Sequence, residues 1–319
     1  MSSNKPIGGY FGLELGVGGF MHSDATLLNS GRNCLEYILK SNKAKKVYLS
    51  RYTCDVVLQP LKKLNIPYSF YSINEKLEID TNLEVRENEF VVYIDYFGVK
   101  DKYCEHLSQK YGKRLILDCS QAYYFEPSKI SHTFYSSRKF FGVPDGGLLY
   151  TDKILDEEFE VDISYQRCSH LLKRIDIGAE QGYEDFKNND KSLNNQPIKT
   201  MSHLTERLLR SVDYSKARET RINNFNHLDK HLRESNSLNI DSNSISGPLH
   251  YPLLTEDSGL RKKLIKNKVY VATYWPNVFE WCGEEEVEHK LAKNIIPLPI
   301  DQRYDIKDME RIVKIINEN

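Results

Sequence analysis

Three short segments hold residue types able to do chemistry together. The first is Asp118-Cys119-Ser120-Gln121, which follows the apolar run Leu115-Ile116-Leu117. An acid at the C-terminal end of a strand in an open α/β sheet faces the ligand crevice. There it can pair with a cationic ring nitrogen; the alternative is an Asp that caps the next helix or turn. The second is Phe134-Tyr135-Ser136-Ser137-Arg138-Lys139, followed by Phe140-Phe141-Gly142-Val143-Pro144-Asp145-Gly146-Gly147. A lysine in an apolar pocket loses proton affinity, and its free amine can form a Schiff base with an aldehyde. The alternative is a solvated lysine on a turn. The third is Asn29-Ser30-Gly31-Arg32-Asn33-Cys34. A Ser-Gly turn at a helix N-terminus presents backbone amides and a hydroxyl to an anion; the alternative is an ordinary serine N-cap.

The order of the three matters more than any one of them. An anion cradle comes first, then an acid on a strand, then a lysine about twenty residues later. Pyridoxal 5'-phosphate needs such a lysine, and an acid that keeps its ring nitrogen protonated.

The surrounding pattern supplies elements to position these groups. Residues 46–50, 68–73, 90–96 and 114–118 read as strands, and 133–137 with 147–151 as two more around a turn. Residues 34–39, 56–64 and 102–111 have helical spacing. Strands alternating with helices predict a mostly parallel sheet covered on both faces. Residues 167–197 are polar and irregular. Residues 201–232 read as one or two long helices, with Leu204, Leu208, Val212, Phe225, Leu228 and Leu232 as apolar positions. Beyond residue 238, two strand-like pieces (249–253 and 269–274) and two helices (260–266 and 306–316) predict a smaller α+β domain. The expected division is a large domain over 1–220 and a small C-terminal domain over 221–319.

Composition narrows the class. Lys and Arg number 44 against 45 Asp and Glu, so no basic excess points to nucleic acid. No segment approaches the roughly 20 apolar residues of a membrane span, and residues 1–10 read as no signal peptide. Six scattered cysteines, with neither Cys-x-x-Cys nor His at metal spacing, predict free thiols, no metal site and a cytoplasmic protein.

With these motifs in view, the chain resembles the DegT/DnrJ/StrS family of sugar aminotransferases, fold type I of the pyridoxal-phosphate enzymes. The Ser-Gly-Thr phosphate turn of that family reads Ser30-Gly31-Arg32 here. Its strand with a Pro-x-Tyr/Phe-Thr stretch reads Leu49-Ser50-Arg51-Tyr52-Thr53. Its Asp-x-x-Gln/His motif is met by Asp118 and Gln121, and its Schiff-base lysine with a following acid and Gly-Gly by Lys139 and Asp145-Gly146-Gly147. A helix leading to an arginine is met by residues 201–221. The resemblance implies an aspartate-aminotransferase-like α/β large domain and pyridoxal 5'-phosphate as cofactor. It implies a keto-sugar nucleotide as substrate, glutamate as amino donor, and a role in amino-sugar or surface-polysaccharide synthesis. It further implies a homodimer with its sites at the interface. Lys139 and Asp118 become the catalytic residues. Lys139 and Asp118, with Gln121, Ser136, Gly31, Arg32, Asn33 and Tyr52, become the cofactor-binding set, with Ser137 an equal candidate to Ser136.

Arg32 stands where the family has Thr, which implies a guanidinium at the phosphate. Cys54 stands where an aromatic residue often stacks on the cofactor ring, leaving Tyr52 as a candidate surface. Another pyridoxal-phosphate carbanion chemistry, or a non-catalytic family member, are the competing readings. Arg303 either binds a substrate anion or sits in a local salt bridge. Tyr274-Trp275-Pro276 either lines a pocket or belongs to the core. His132 is near Lys139 in sequence. Residues 188–195 either reach a neighbouring subunit or form a loop. Residues 8–20, rich in glycine and apolar side chains, need a surface to lie on, their own chain's or a partner's.

Overall fold

The computed structural model describes residues 7–318. The first six residues, part of the stretch expected to hold no signal peptide, lie outside the described residues, as does Asn319. The strands are β1 (Thr26–Leu28), β2 (Lys46–Ser50), β3 (Tyr68–Tyr71), β4 (Glu89–Ile94), β5 (Leu115–Asp118), β6 (His132–Ser136), β7 (Gly147–Tyr150), β8 (His250–Leu254) and β9 (Ile295–Pro299). The helices are α1 (Gly31–Ser41), α2 (Leu58–Lys63), α3 (Asp101–Tyr111), α4 (Ser169–Asp176), α5 (Tyr183–Ser192), α6 (His203–Leu209), α7 (Tyr214–Leu232), α8 (Leu260–Lys266), α9 (Val278–Trp281), α10 (Val287–Asn294) and α11 (Ile306–Asn317).

Seven strands form one sheet in the order β1-β7-β6-β5-β4-β2-β3. β3, β2, β4, β5 and β6 run parallel, and β7 runs antiparallel to both β6 and β1. Both faces are buried, as the near-continuous apolar runs require. Phe90 and Val92 of β4, Ile116 of β5 and Phe134 of β6 pack in the cluster with Leu35, Ile38 and Leu39 of α1. Their neighbours Val91, Tyr93, Leu115, Leu117 and Tyr135 pack on the other face with Cys104 and Leu107 of α3. This is the period-two alternation of a strand expressed as two separate cores. The aspartate-aminotransferase-like α/β expectation matches this sheet.

The C-terminal part differs from its sequence reading in one strand. Residues 269–274 form no strand; β8 pairs instead with β9 in a two-stranded antiparallel sheet. β9 includes Pro297 and Pro299, which lower strand propensity and hide the element. The polar stretch 167–197 holds α4 and α5, stabilised by their mutual packing and by the Lys173–Asp185 ion pair at 2.7 Å. Residue 220, the expected domain division, lies inside the unbroken α7. All six cysteines are unpaired. No helix among the described residues is long and apolar enough to cross a membrane.

Candidate active site

Parallel strands bring their C-terminal ends to one edge, and there Ser50, Asp118 and Ser136 end β2, β5 and β6. α1 starts at the same edge, because β1 runs parallel to β6 and leads into it. The fit is close: a Cβ on Gly31 would lie 3.5 Å from the Phe134 ring and 3.7 Å from Ser136 Cβ. Gly147 of β7 is tighter still, since a Cβ there would meet the Ser30 carbonyl oxygen at 2.4 Å. The Gly146-Gly147 pair thus allows β7 to pass beneath the head of α1.

At that head, Ser30 is the N-cap: its hydroxyl accepts from the Asn33 amide at 3.2 Å and donates to Asn33 Oδ1 at 2.8 Å. Asn33 donates its amide to the carbonyls of Gln196 and Pro197. Asn33, expected to bind the cofactor, therefore clamps the 196–197 segment instead. Its side chain is buried and its polar atoms are taken. The amides of Gly31 and Arg32, the first two of the helix, remain directed outward without an intrahelical partner. Ser136 lies beside them, whereas Ser137 is fully buried below Gly146. That distinction favours Ser136 over Ser137 for an anion at this point.

Two guanidinium groups complete the cradle. Arg138 Nη1 donates to Asp190 Oδ1 at 2.8 Å, and Arg32 Nη2 lies 3.5 Å from the same oxygen. Arg32 Nη1 is buried with no hydrogen-bond partner among the described residues. Burial alone would raise Asp190, but Arg138, Arg32 and Lys139 together hold its carboxyl below the usual range. Arg138 was not singled out from the sequence, although its position beside Lys139 after a strand was a visible signal. Asp190 belongs to residues 188–195, which in this chain fold back as the end of α5; Asn189 ties them down through the Pro144 carbonyl at 2.8 Å.

Asp118 Oδ1 accepts from the Ser120 amide at 2.9 Å. Burial pushes its carboxyl up, while the bonds to Ser120 and the Lys139 ammonium pull it back. Gln121 is fully buried; its Oε1 accepts from the Phe97 amide at 2.6 Å and its Nε2 has no partner among the described residues. The Gln121 contact holds Phe97 in a left-handed conformation, φ 58°.

Lys139 departs from the apolar-pocket expectation. Its side chain is exposed. Phe140 and Phe141 are buried, but they point into the core around Tyr123 and do not wrap the amine. Lys139 Nζ lies 5.9 Å from the centroid of the Tyr274 ring. Tyr274 therefore lines the cleft, while Trp275 is core. Behind Lys139, Arg221 and Gln302 grip the Phe140 carbonyl at 3.4 and 2.8 Å. Arg221 also donates to the Pro248 and Leu249 carbonyls at 3.0 and 3.3 Å and lies 4.4 Å over the Phe140 ring. Its place in α7 on the buried stripe with Ala217, Phe225 and Leu228 was a signal that a structural arginine sits there.

Three other expectations need correction or a choice. Tyr52 is 0% exposed, wedged between Tyr96 and Trp275 at 5.5 and 5.1 Å, so it presents no face to the cleft. Cys54, two residues on, is the group that borders the cleft; burial raises its thiol, and Lys139 and Arg32 act against that. Arg303 is held by both oxygens of Asp301 at 2.6 and 2.8 Å, the local salt bridge. His132 begins β6, four residues from its cleft end, and bonds Thr151 at 2.9 Å away from the site.

This set fits pyridoxal phosphate: helix-head amides and an unpartnered guanidinium atom for a phosphate, an acid for the ring nitrogen, and an amine that acts on both Asp118 and Asp190 and is in no ion pair among the described residues. No family model and no curated protein matches the sequence. Solved structures do. A DegT/DnrJ/EryC1/StrS aminotransferase from Brucella abortus matches with a TM-score of 0.62 and 13% identity over 92% of this chain and 84% of its own. Helicobacter pylori PseC, an aminotransferase involved in the biosynthesis of pseudoaminic acid, matches at 0.59 and 14% over 92% and 85%. DesV of S. venezuelae, solved with a ketimine intermediate, matches at 0.58 and 14% over 92% and 83%. At these identities the likeness shows the fold: the chain has the fold of these aminotransferases along nearly its whole length.

Proposed function

We propose that this chain is a pyridoxal-phosphate-dependent aminotransferase. Its substrate is a keto-sugar nucleotide, its amino donor glutamate, and its setting amino-sugar or surface-polysaccharide synthesis in the cytoplasm. The carrying observation is the convergence at one sheet edge of the α1 head with Arg32 and Arg138, of Asp118, and of Lys139. When bound, pyridoxal phosphate supplies an electron sink for the carbon that loses its proton. Gly31, Arg32, Arg138 and Ser136 bind its phosphate through amides, guanidinium groups and a hydroxyl. Asp118 holds a proton on the ring nitrogen. Gln121, whose Nε2 has no partner among the described residues, would hydrogen-bond the ring. Lys139 Nζ, which is exposed, would bond the cofactor aldehyde and, as a free amine, would carry the proton.

The sugar substrate is supported by the neighbours, among them DesI, whose structure was determined in the presence of its TDP-sugar product. We further place the site at the interface of a homodimer and assign residues 221–319 to the small domain. The test is direct. Purified protein mixed with pyridoxal phosphate should develop the visible absorption of the lysine-bound cofactor, and Lys139→Ala should not. Glutamate should then bleach that band, and a panel of keto-sugar nucleotides should restore it. A colourless wild type that takes up no cofactor overturns the assignment.

A further inference from the structure

Pyridoxal phosphate has two flat faces, and a ring tethered at one amine needs a surface that fixes its tilt. Cys54 borders the cleft with a thiol, which offers no flat face, and Tyr52 is buried away from it. The C-terminal segment supplies an aromatic ring beside Lys139. Lys139 Nζ stands 5.9 Å over the face of Tyr274. We propose that Tyr274 is the aromatic wall of this site, against which a planar cationic ring bonded at Lys139 rests, and that His250 fixes its orientation. The inference rests on the cofactor reading above and names the residue that sets the cofactor's tilt.

The geometry around Tyr274 is that of a fixed wall. Its hydroxyl is paired with His250 Nε2 at 3.1 Å, and the two rings lie 5.8 Å apart at 34°. Phe97 packs on it at 5.9 Å, and Phe97 is itself held by Gln121. The backbone before it is tied by Arg261 to the Ala272 carbonyl. His250 opens β8 directly after the Pro248 and Leu249 carbonyls that Arg221 grips. Both members of the pair are thus anchored by groups from separate elements, which lowers the cost of ordering the ring when a ligand arrives.

The charges suit a cationic ring. An aromatic face carries negative quadrupole density and attracts cations. Burial and the Arg221 guanidinium push His250 down to about 3. Near pH 7 its imidazole is neutral, so no second cation competes for the Tyr274 face. Asp118 sits within the field of Lys139 and would hold a proton on the ring nitrogen.

The test is an equilibrium titration with pyridoxal phosphate, read by visible absorption and by induced visible circular dichroism. Tyr274→Met removes the ring and keeps a long apolar side chain. It should weaken binding roughly three- to tenfold, the scale of one aromatic contact, and reduce the circular dichroism. Tyr274→Phe should keep affinity within about twofold yet change the circular dichroism, because the tie to His250 is gone. Thermal melting establishes that each variant is folded; if Tyr274→Met is not, Tyr274→Leu replaces it. A wild type that binds no cofactor overturns the cofactor reading. A wild type that binds, with a folded ring-less variant of equal affinity and unchanged circular dichroism, overturns the role of Tyr274 alone. Identical circular dichroism in Tyr274→Phe overturns the role of His250.

Discussion

Asp190 Oδ1 accepts a hydrogen bond from Arg138 Nη1 at 2.8 Å and lies 3.5 Å from Nη2 of Arg32, in the first turn of α1. A carboxylate between two guanidinium groups stands, on the proposed function, where the cofactor phosphate would bind. Asp190 is half exposed, so solvent screens the pairing and its strength is about 1 kcal/mol. Asp190→Asn removes the competing anion and should tighten binding of inorganic phosphate and of pyridoxal phosphate roughly fivefold. Calorimetric titration at fixed ionic strength measures this; unchanged affinity would mean that Asp190 stays in place when the anion binds.

Asp118 makes a different kind of contribution. A neutral amide at this position accepts the Ser120 hydrogen bond but cannot hold a proton on a ring nitrogen. Asp118→Asn should therefore leave cofactor occupancy near normal, because the phosphate contacts remain. The half-reaction with glutamate should slow roughly a hundredfold, the scale of one lost preorganised electrostatic contact. Stopped-flow absorbance separates the two quantities. Normal rates would assign the ring-nitrogen role to another acid.

Much of this site is legible in the sequence because it follows from strand ends and turn chemistry. Asp118 closes an apolar run and Gly31 opens a helix, both local signals, whereas Gly147 is required by its approach to Ser30, far off in sequence. What local pattern does not reveal is where long-range partners fall. Tyr52 and Cys54 lie two residues apart, yet packing against Tyr96 and Trp275 sends one into the core and leaves the other at the cleft. Arg138 and Asp190 meet across 52 residues of sequence. β9 is hidden by its prolines, and so is the true partner of β8. The lysine's aromatic neighbours in sequence are not its neighbours in space; Tyr274, from the far end of the chain, is.

Arg221 tests how the C-terminal part supports Lys139. It is 1% exposed and serves three carbonyls and Gln302. Arg221→Leu leaves buried carbonyl groups unpaired and should cost about 3 kcal/mol or more of stability. Arg221→Lys keeps charge but not the planar fork and should fall between. Urea denaturation gives both values. Gln302→Leu, which removes the 2.8 Å bond to the Phe140 carbonyl, should cost about 1 kcal/mol. An Arg221→Leu protein as stable as wild type would show that water replaces the clamp.

His132 predicts a pH dependence outside the site. Burial pushes its imidazole down to about 4, whereas an unfolded histidine titrates near about 6.5. Between these values the unfolded chain binds a proton that the folded chain does not. Stability therefore rises with pH across this window and falls as pH drops from about 6.5 toward about 4. The full span is on the order of 3 kcal/mol. His132→Gln should flatten the slope of the denaturation midpoint between pH 6.5 and 4.5. Some slope will persist, because His250 is depressed as well. An unchanged slope in His132→Gln would place the proton uptake elsewhere.

The N-terminal segment predicts the assembly. Tyr10, Phe11 and Val17 are 98%, 94% and 78% exposed, so this apolar stretch does not lie on its own chain. Among the described residues its ties to the body come toward its end: Arg207 to the Leu15 carbonyl at 3.3 Å, the Gly18 amide to the Arg210 carbonyl at 2.7 Å, and Phe20 edge-on to Tyr214. Apolar side chains so exposed are unfavourable in water unless another surface covers them. Ile163, Tyr165, Leu172 and Ile175 are exposed too, which gives a second copy further apolar surface to bury. Equilibrium sedimentation should show a dimer. Deletion through Val17 should weaken it at least tenfold, since two or three large apolar side chains per subunit are each worth about 1.5 kcal/mol or more when covered. Deletion should lower cofactor retention in parallel if the site lies at the interface. A monomer that binds pyridoxal phosphate and turns over would refute the shared-site arrangement, and a tight dimer after deletion would assign the segment no part in assembly.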